Sequence, residues 1–332
     1  MRHKNRVFGQ IKEWQEQGES VVLAVVVATQ GSTYSKVGDF IALTASGDYQ
    51  GLVSGGCVEG DLAMRAARVA ASNQSEYAHY DLGGEHDALW GMGAGCDGDI
   101  EVLLVAIDDV LAHQLNQVFD RYANGEPSVL MLGADTPPLL VKQNDTDASP
   151  TAIAVMTDRR SKTLEIDGTR QISMFIAPTP RVLILGAAPD SHPLCELIHL
   201  LGWQVSVADH RPAYIDALPA FVRAVCSPSQ EVGEQIDVAG FNVAMVMSHH
   251  LDADRHYLSA IAGHRDWAYL GLLGPRHRRD KLLADLDADQ RDYLDAVLDG
   301  PAGLEIGARE PASIALSIVA KMHAALASVR LV

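Results

Sequence analysis

The sequence predicts an α/β protein of two domains, a strand-rich mixed α/β domain over residues 1–177 and a parallel-sheet domain over 178–332. Three observations carry that expectation. The chain has 332 residues, about twice the usual domain length of roughly 100–200. Pro178-Thr179-Pro180 sets two prolines around one residue, a punctuation that suits a linker. Beyond it the pattern changes from strands set among turns to strand, helix, strand, the rhythm of a parallel sheet covered on both faces.

In chain order, Phe8 to Gln17 reads as a short helix and Val21 to Ala28, rich in β-branched residues, as a buried strand. Phe40 to Thr44 and Tyr49 to Val53 flank Ala45-Ser46-Gly47-Asp48, a hairpin with turn chemistry at its centre. Cys57 to Ala71 carries Val58, Leu62, Ala66 and Val69 at helical spacing, with Glu59 and Asp61 in the first turn. Leu82 to Gly98 is a loop rich in Gly and Asp, and Ile100 to Ile107 is a strand. Ser128 to Leu132, Ala152 to Met156 and Ile172 to Ala177 are further expected strands, with Lys142 to Pro150 a surface loop. In the second domain the strands are Val182 to Leu185, Gln204 to Ala208, Ala224 to Cys226, Asn242 to Met247 and Ala268 to Leu270. Pro193 to Leu201 and Glu310 to Val329 are helices.

Charge narrows the function classes. Twenty-six Lys and Arg against 43 Asp and Glu leave a formal charge of −17, which repels phosphate backbones and anionic lipid, so neither nucleic acid nor a membrane surface is expected as a partner. The N-terminal stretch lacks the apolar block of a signal peptide, and the aliphatic run Val21 to Ala28 is far short of a bilayer span. Cys57, Cys96, Cys195 and Cys226 are scattered without a C-x-x-C pair, the usage of a reduced, cytoplasmic protein. Cys195 and Cys226 read as core residues.

The second domain opens on Arg181-Val182-Leu183-Ile184-Leu185-Gly186, a strand running into a glycine turn, with Asp209 lying 23 residues after Gly186. That is a Rossmann-like arrangement, the acidic residue standing where a ribose hydroxyl would be met. The fingerprint continues as Ala187-Ala188-Pro189-Asp190. Ala188 puts a methyl group where a pyrophosphate needs bare backbone and Asp190 adds negative charge, which argues against NAD(P). The strand ends also gather Asp209-His210-Arg211, Ser248-His249-His250 and Gly271 to Gly274. Gly274 leads to Arg276, Arg278 and Arg279, a glycine turn and helix start suited to an anion, a solvated basic helix face being the alternative. In a strand, His249 and His250 point to opposite sides, so one metal ion does not take both.

The first domain has its own unusual stretch, Ser54-Gly55-Gly56-Cys57-Val58-Glu59. A strand ends in two glycines and hands a cysteine to a helix N-terminus, where a thiol's pKa falls; a small residue at a tight turn is the alternative. Cys96 lies in a second glycine loop, and Gln30-Gly31-Ser32-Thr33 is a further polar turn.

Ala28 to Ser32, the Ser-Gly-Gly-Cys-Val-Glu core at Ser54 to Glu59, and Gly93 to Val102 resemble the xanthine dehydrogenase accessory (XdhC/CoxI) family. So do Tyr269 to Arg276, Gly300 to Ala308 and Glu310 to Ile318. The resemblance runs over nearly the whole chain in the family's order. It implies an XdhC/CoxI domain followed by a Rossmann-like domain, often as a homodimer. The implied function is a maturation chaperone that binds molybdenum cofactor (molybdopterin) transiently, assists its sulfuration, and inserts it into an apo molybdenum hydroxylase of the xanthine dehydrogenase type. A cysteine desulfurase is a further implied partner. A thiol that holds such a cofactor needs no turnover, so whether the protein catalyses a step is left open.

On that resemblance the cofactor-binding residues are expected at Gly31, Ser32, Ser54, Gly55, Gly56, Cys57 and Glu59 in the first domain, with Cys96 second to Cys57 as a thiol. In the second domain they are Gly186, His249, Gly274, Arg276, Arg278 and Arg279, the arginines for the pterin's phosphate. Cys57 is the expected molybdenum contact, and the cleft between domains the expected place. The chain departs from the family at Thr33-Tyr34-Ser35-Lys36, where Pro-Arg is usual, at Asp97, at Ala188-Pro189, and at His250, where the family has Asp. An NAD(P)-dependent oxidoreductase built on the second domain is the alternative, and a degenerate binding scaffold a third reading.

Overall fold

A computed structural model describes residues 2–56, 58–81, 98–166 and 168–332, with the side chains of 2–5 and 166 excepted. Cys57 and the loop of Cys96 therefore lie outside the described residues. The chain forms two compact units, His3–Pro178 and Thr179–Val332.

The first unit holds two antiparallel sheets. One has the order β3-β2-β1-β5-β4, built from β1 (Val21–Gly31), β2 (Phe40–Thr44), β3 (Tyr49–Gly51), β4 (Glu76–Asp81) and β5 (Gly98–Ala106). The other has the order β7-β6-β9-β8, from β6 (Ser128–Gly133), β7 (Leu139–Lys142), β8 (Lys162–Ile166) and β9 (Thr169–Ile176). The period of two in β1 explains the layering. Val22, Ala24 and Val26 pack with Leu62, Ala66 and Val69 of the helix Glu59–Ser72. Leu23, Val25 and Val27 face the other way, into a core shared with Leu130, Leu132, Ile172 and Met174 of the second sheet. Thr163 Oγ1 donates to the Val27 carbonyl at 2.6 Å and Arg170 pairs with Glu101 at 2.7 Å, tying the sheets together.

The second unit is a six-stranded, wholly parallel sheet of order β12-β11-β10-β13-β14-β15. Its strands are β10 (Arg181–Leu185), β11 (Gln204–Asp209), β12 (Arg223–Cys226), β13 (Val243–Val246), β14 (Tyr269–Leu272) and β15 (Leu298–Asp299). Numbered within the unit this is 3-2-1-4-5-6, the Rossmann order, with its switch point between β10 and β13. Leu183, Ala244 and Leu270 face one helical layer, Val182, Val243 and Met245 the other. The helix Pro311–Ser328 has the length and composition to cross a membrane, yet it buries Ile318, Met322 and Leu326 in the second of those layers.

The plan of a strand-rich mixed α/β first half and a parallel-sheet second half is the one expected, and two local readings need correction. Ala152 to Met156, expected as a strand, lies within the helix Pro150–Asp158. Ser149 caps it by accepting the Ala152 N–H, and Pro150 occupies its first turn, so capping chemistry decides a short apolar run that periodicity leaves ambiguous. Cys226, expected in the core, is exposed because β12 is the sheet's edge. Cys195 is buried, and burial pushes its thiol up to about 12. The helix Asp109–Ala123 was not anticipated, although Asp108 caps it and Leu111, Leu115, Val118 and Tyr122 mark its buried stripe.

Candidate functional site

In the first unit, strand direction gathers two turns and a strand start at one end of a sheet. β1, β3 and β4 run toward that end and β2 and β5 start from it. The turn after Gly31, the turn after Gly51 and the start of β5 at Gly98 therefore lie at the same end. Gly31 pairs directly with Gly98, and a Cβ at Gly98 would meet the carbonyl oxygens of Gln30 and Ser32 at 2.6 and 2.7 Å, so only glycine fits. Ser35 Oγ donates to the Val53 carbonyl at 2.7 Å, linking the first turn to the second.

The turn at Ser54 to Glu59 is organised by a buried carboxylate. Glu59 is 1% exposed. Its Oε1 accepts the N–H groups of Val53 at 3.1 Å and Ser54 at 2.9 Å, and its Oε2 accepts the Ser54 hydroxyl at 2.5 Å. Ser54 Oγ in turn accepts the N–H groups of Gly56 at 3.1 Å and Val58 at 3.2 Å. Ser54 and Glu59 thus face inward, as the frame of the turn. Gly55 and Gly56 face outward: both are exposed, a Cβ on either would meet no atom of the described residues within 4 Å, and Gly56 has a φ of +105°. Cys57, between Gly56 and Val58 in sequence, lies outside the described residues, as does Cys96.

In the second unit the strand ends carry every residue expected there, but most are committed to one another. Gly186 (φ +126°) closes on the neighbouring strand's exit: a Cβ there would lie 2.6 Å from the Met247 carbonyl carbon and the Ser248 nitrogen. Asp209, fully buried, accepts the Ala187 N–H at 2.7 Å, the Arg211 N–H at 2.9 Å, and the Arg211 guanidinium at 2.8 and 2.6 Å. Burial alone would raise the Asp209 pKa. The Arg211 side chain and the two backbone N–H bonds outweigh it and hold the carboxyl below its ordinary value. A carboxylate with this many donors has nothing left for a ribose hydroxyl.

His249 stands in the left-handed region (φ +63°), and its Nε2 lies 2.8 Å from Asp190 Oδ2, bridging the exits of β10 and β13. Beneath it, the buried Asp254 accepts the Ser248 N–H at 3.1 Å, the Ser248 hydroxyl at 2.5 Å and Arg278 Nη2 at 2.6 Å. A pocket of about 120 Å³ remains beside Asp190, Leu194, Met247 and Leu273. Ligand sites run to roughly 300–1,000 Å³, so this one does not admit a dinucleotide.

Of the three arginines, Arg278 is taken by Asp254, and Arg279 by Asp295 and the Leu298 carbonyl at 2.8–3.3 Å. Arg276 alone is exposed and without a partner among the described residues. Gly274 (φ +124°) gives Arg278 room: a Cβ there would lie 2.7 Å from Arg278 Cδ. Sequence reasoning gathered Arg211 at the strand ends without pairing it with Asp209, and missed Asp254 and the hydrogen bond of Ser35. Asp254 was signalled only by its place in the first turn of the helix Leu251–Ala262. Among the described residues no group of three His, Cys, Asp or Glu is placed to hold a metal ion.

Comparison with known proteins fits this two-part plan. Residues 14–81 match the family model described as the XdhC and CoxI family, and residues 182–322 match that of the XdhC Rossmann domain. A Bacillus subtilis (strain 168) protein, described as a probable xanthine dehydrogenase subunit, is 31% identical over 315 residues, covering 92% of this chain and 93% of its own. A Bacillus halodurans crystal structure, described as a xanthine dehydrogenase, is 24% identical and superposes with a TM-score of 0.78 over 97% of this chain and 96% of its own. That structure shares the fold. From the matches to both halves and the relative spanning nearly its full length, this chain belongs to the XdhC and CoxI family.

Proposed function

We propose that the protein serves a xanthine dehydrogenase-type molybdenum hydroxylase as an accessory factor, binding molybdenum cofactor and assisting its sulfuration and insertion into the apo-enzyme. The coarser part, an association with xanthine dehydrogenase, is supported by family membership and by the description of the Bacillus subtilis relative. The finer part rests on one observation above all, the inward lock of Ser54 and Glu59 behind an outward, open Gly55-Gly56.

The residues fit such a group in two respects. Glu59's charge is met by three internal donors, so it does not repel an anionic cofactor from the turn. The two glycines leave space for a flat ring system to approach the backbone. When bound, the cofactor supplies a molybdenum ion on a dithiolene, and a thiol such as Cys57 is a suitable soft ligand for it. In the second unit Arg276 is the side chain offered to a phosphate, while Arg278 and Arg279 fit structural roles. We place the protein in the cytoplasm, as a homodimer, with a cysteine desulfurase as the sulfur donor's source.

The oxidoreductase reading is opposed by Asp209, sealed by Arg211, and by Ala188 and Asp190, a methyl group and a negative charge where a pyrophosphate needs bare backbone. The test is reconstitution: apo-xanthine dehydrogenase is incubated with the cofactor and wild-type, Cys57→Ala or Cys226→Ala protein, and dehydrogenase activity is measured. Activation by wild type and Cys226→Ala but at least about tenfold less by Cys57→Ala is expected. Equal activation by all three, or by none, would overturn the proposal.

A further inference from the structure

The pocket of about 120 Å³ beside the switch point lies wholly within the second unit. It is enclosed by the exits of β13 and β14, the turn Pro189–Ser191 and the start of the helix Pro311–Ser328. Its floor is apolar, made by Leu194, Met247, Leu273, Ile314 and Ile318. An apolar cavity of about 150 Å³ holds a benzene ring, so this slightly smaller one suits a branched aliphatic side chain.

Two charges of opposite sign complete the lining, Asp190 and Arg309. They are not paired with each other. Asp190 Oδ2 lies 2.8 Å from His249 Nε2, whereas Asp190 Oδ1 is enclosed and has no hydrogen-bond partner among the described residues. An enclosed carboxylate oxygen beside apolar groups carries a desolvation cost that a donor offsets. Arg309 is exposed and makes no ion pair among the described residues.

Both charges stand on fixed backbone. The Ser191 N–H donates to the Ala188 carbonyl at 2.8 Å, closing the turn that carries Asp190. The Arg309 N–H donates to Ser313 Oγ at 3.2 Å, beside the capping box that starts the last helix.

This lining selects among small molecules. A simple cation would satisfy Asp190 but meet Arg309, and a simple anion would do the reverse. A zwitterion suits both, provided that an aliphatic group between its charges fills the floor. We infer that the pocket binds a free α-amino acid with an aliphatic side chain, its ammonium on Asp190 Oδ1 and its carboxylate on Arg309. The site shares no residue with the thiol turn of the first unit, so the inference goes beyond the maturation reading and is tested apart from it.

Calorimetric titration of the full chain with leucine, isoamylamine, isocaproate and serine checks it. The last three lack in turn the carboxylate, the ammonium and the aliphatic side chain of leucine. Leucine is expected to bind at least about tenfold tighter than each, the worth of one charged hydrogen bond or a buried aliphatic group. Asp190→Asn should remove the advantage of leucine over isocaproate, and Arg309→Gln its advantage over isoamylamine. Asn keeps a polar group for His249 and Arg309 is exposed, so melting temperatures without ligand should stay near that of wild type. No binding of leucine, equal binding of all four probes, or binding indifferent to both substitutions would overturn it.

Discussion

Glu59→Ala is expected to destabilise the turn that carries Gly55 and Gly56 by about 4 kcal/mol. Three donors would lose a charged acceptor inside the protein, each such loss being worth about 1–3 kcal/mol. The Ser54 hydroxyl, freed from Glu59, would no longer be held to collect the N–H groups of Gly56 and Val58. Glu59→Gln keeps one carbonyl oxygen for the two backbone donors, so its cost should be about 1–2 kcal/mol. Native-state hydrogen exchange at the Val53 and Ser54 amides measures both. Protection lost in Glu59→Ala and largely kept in Glu59→Gln is the expected pattern. Unchanged protection in Glu59→Ala would mean that the carboxylate does not hold the turn.

The second large effect is expected at Asp209. Asp209→Ala leaves Arg211, still bonded to the Ser248 carbonyl and partly open to solvent, without its carboxylate and the Ala187 N–H without its acceptor; breaking a buried ion pair from one side costs about 3–5 kcal/mol, and the exposed edge of Arg211 puts this one at the lower end. The pH dependence has a definite sign. Arg211 and the backbone donors hold the Asp209 pKa below its ordinary value in the folded protein. Its contribution is therefore complete above the unfolded carboxylate value of about 4, and is lost as pH falls through the lower folded value. Urea unfolding followed at pH 7 and at pH 3 should show the gap between wild type and Asp209→Ala narrowing in acid. A gap that stays constant or widens would contradict the assignment. The substitution should not create an NAD(P) site, because Ala188 still stands where a pyrophosphate needs bare backbone.

How far the sequence could be read depended on which force decides each element. The strands β10, β11, β13 and β14 are short apolar runs with turns between helices, and burial on both faces leaves that pattern little other meaning. Val58, Leu62, Ala66 and Val69 likewise announce their helix. Ala152 to Met156 misled because five apolar residues carry no period, and Ser149 and Pro150 decide the matter from outside the run. The site residues split the same way. Ser54, Gly55, Gly56 and Glu59 form one local turn, so sequence proximity is spatial proximity. The arginines do not behave so: Arg278 and Arg279 look equivalent to Arg276 in sequence, yet Asp254 and Asp295 reach them across 24 and 16 residues. Asp209 was placed correctly at its strand's end, but its pairing was not legible, since Arg211, only two residues on, folds back onto it.

That the first unit receives a pterin-bound metal, and that the Rossmann unit does not receive a dinucleotide, is tested most directly by what the purified protein retains. After incubation with molybdenum cofactor, and separately with NADH, the protein is desalted and its molybdenum, pterin and nicotinamide contents are measured per chain. Molybdenum and pterin retained in equal amounts, with no NADH, is the expected result. Retained NADH, with neither molybdenum nor pterin, would contradict it.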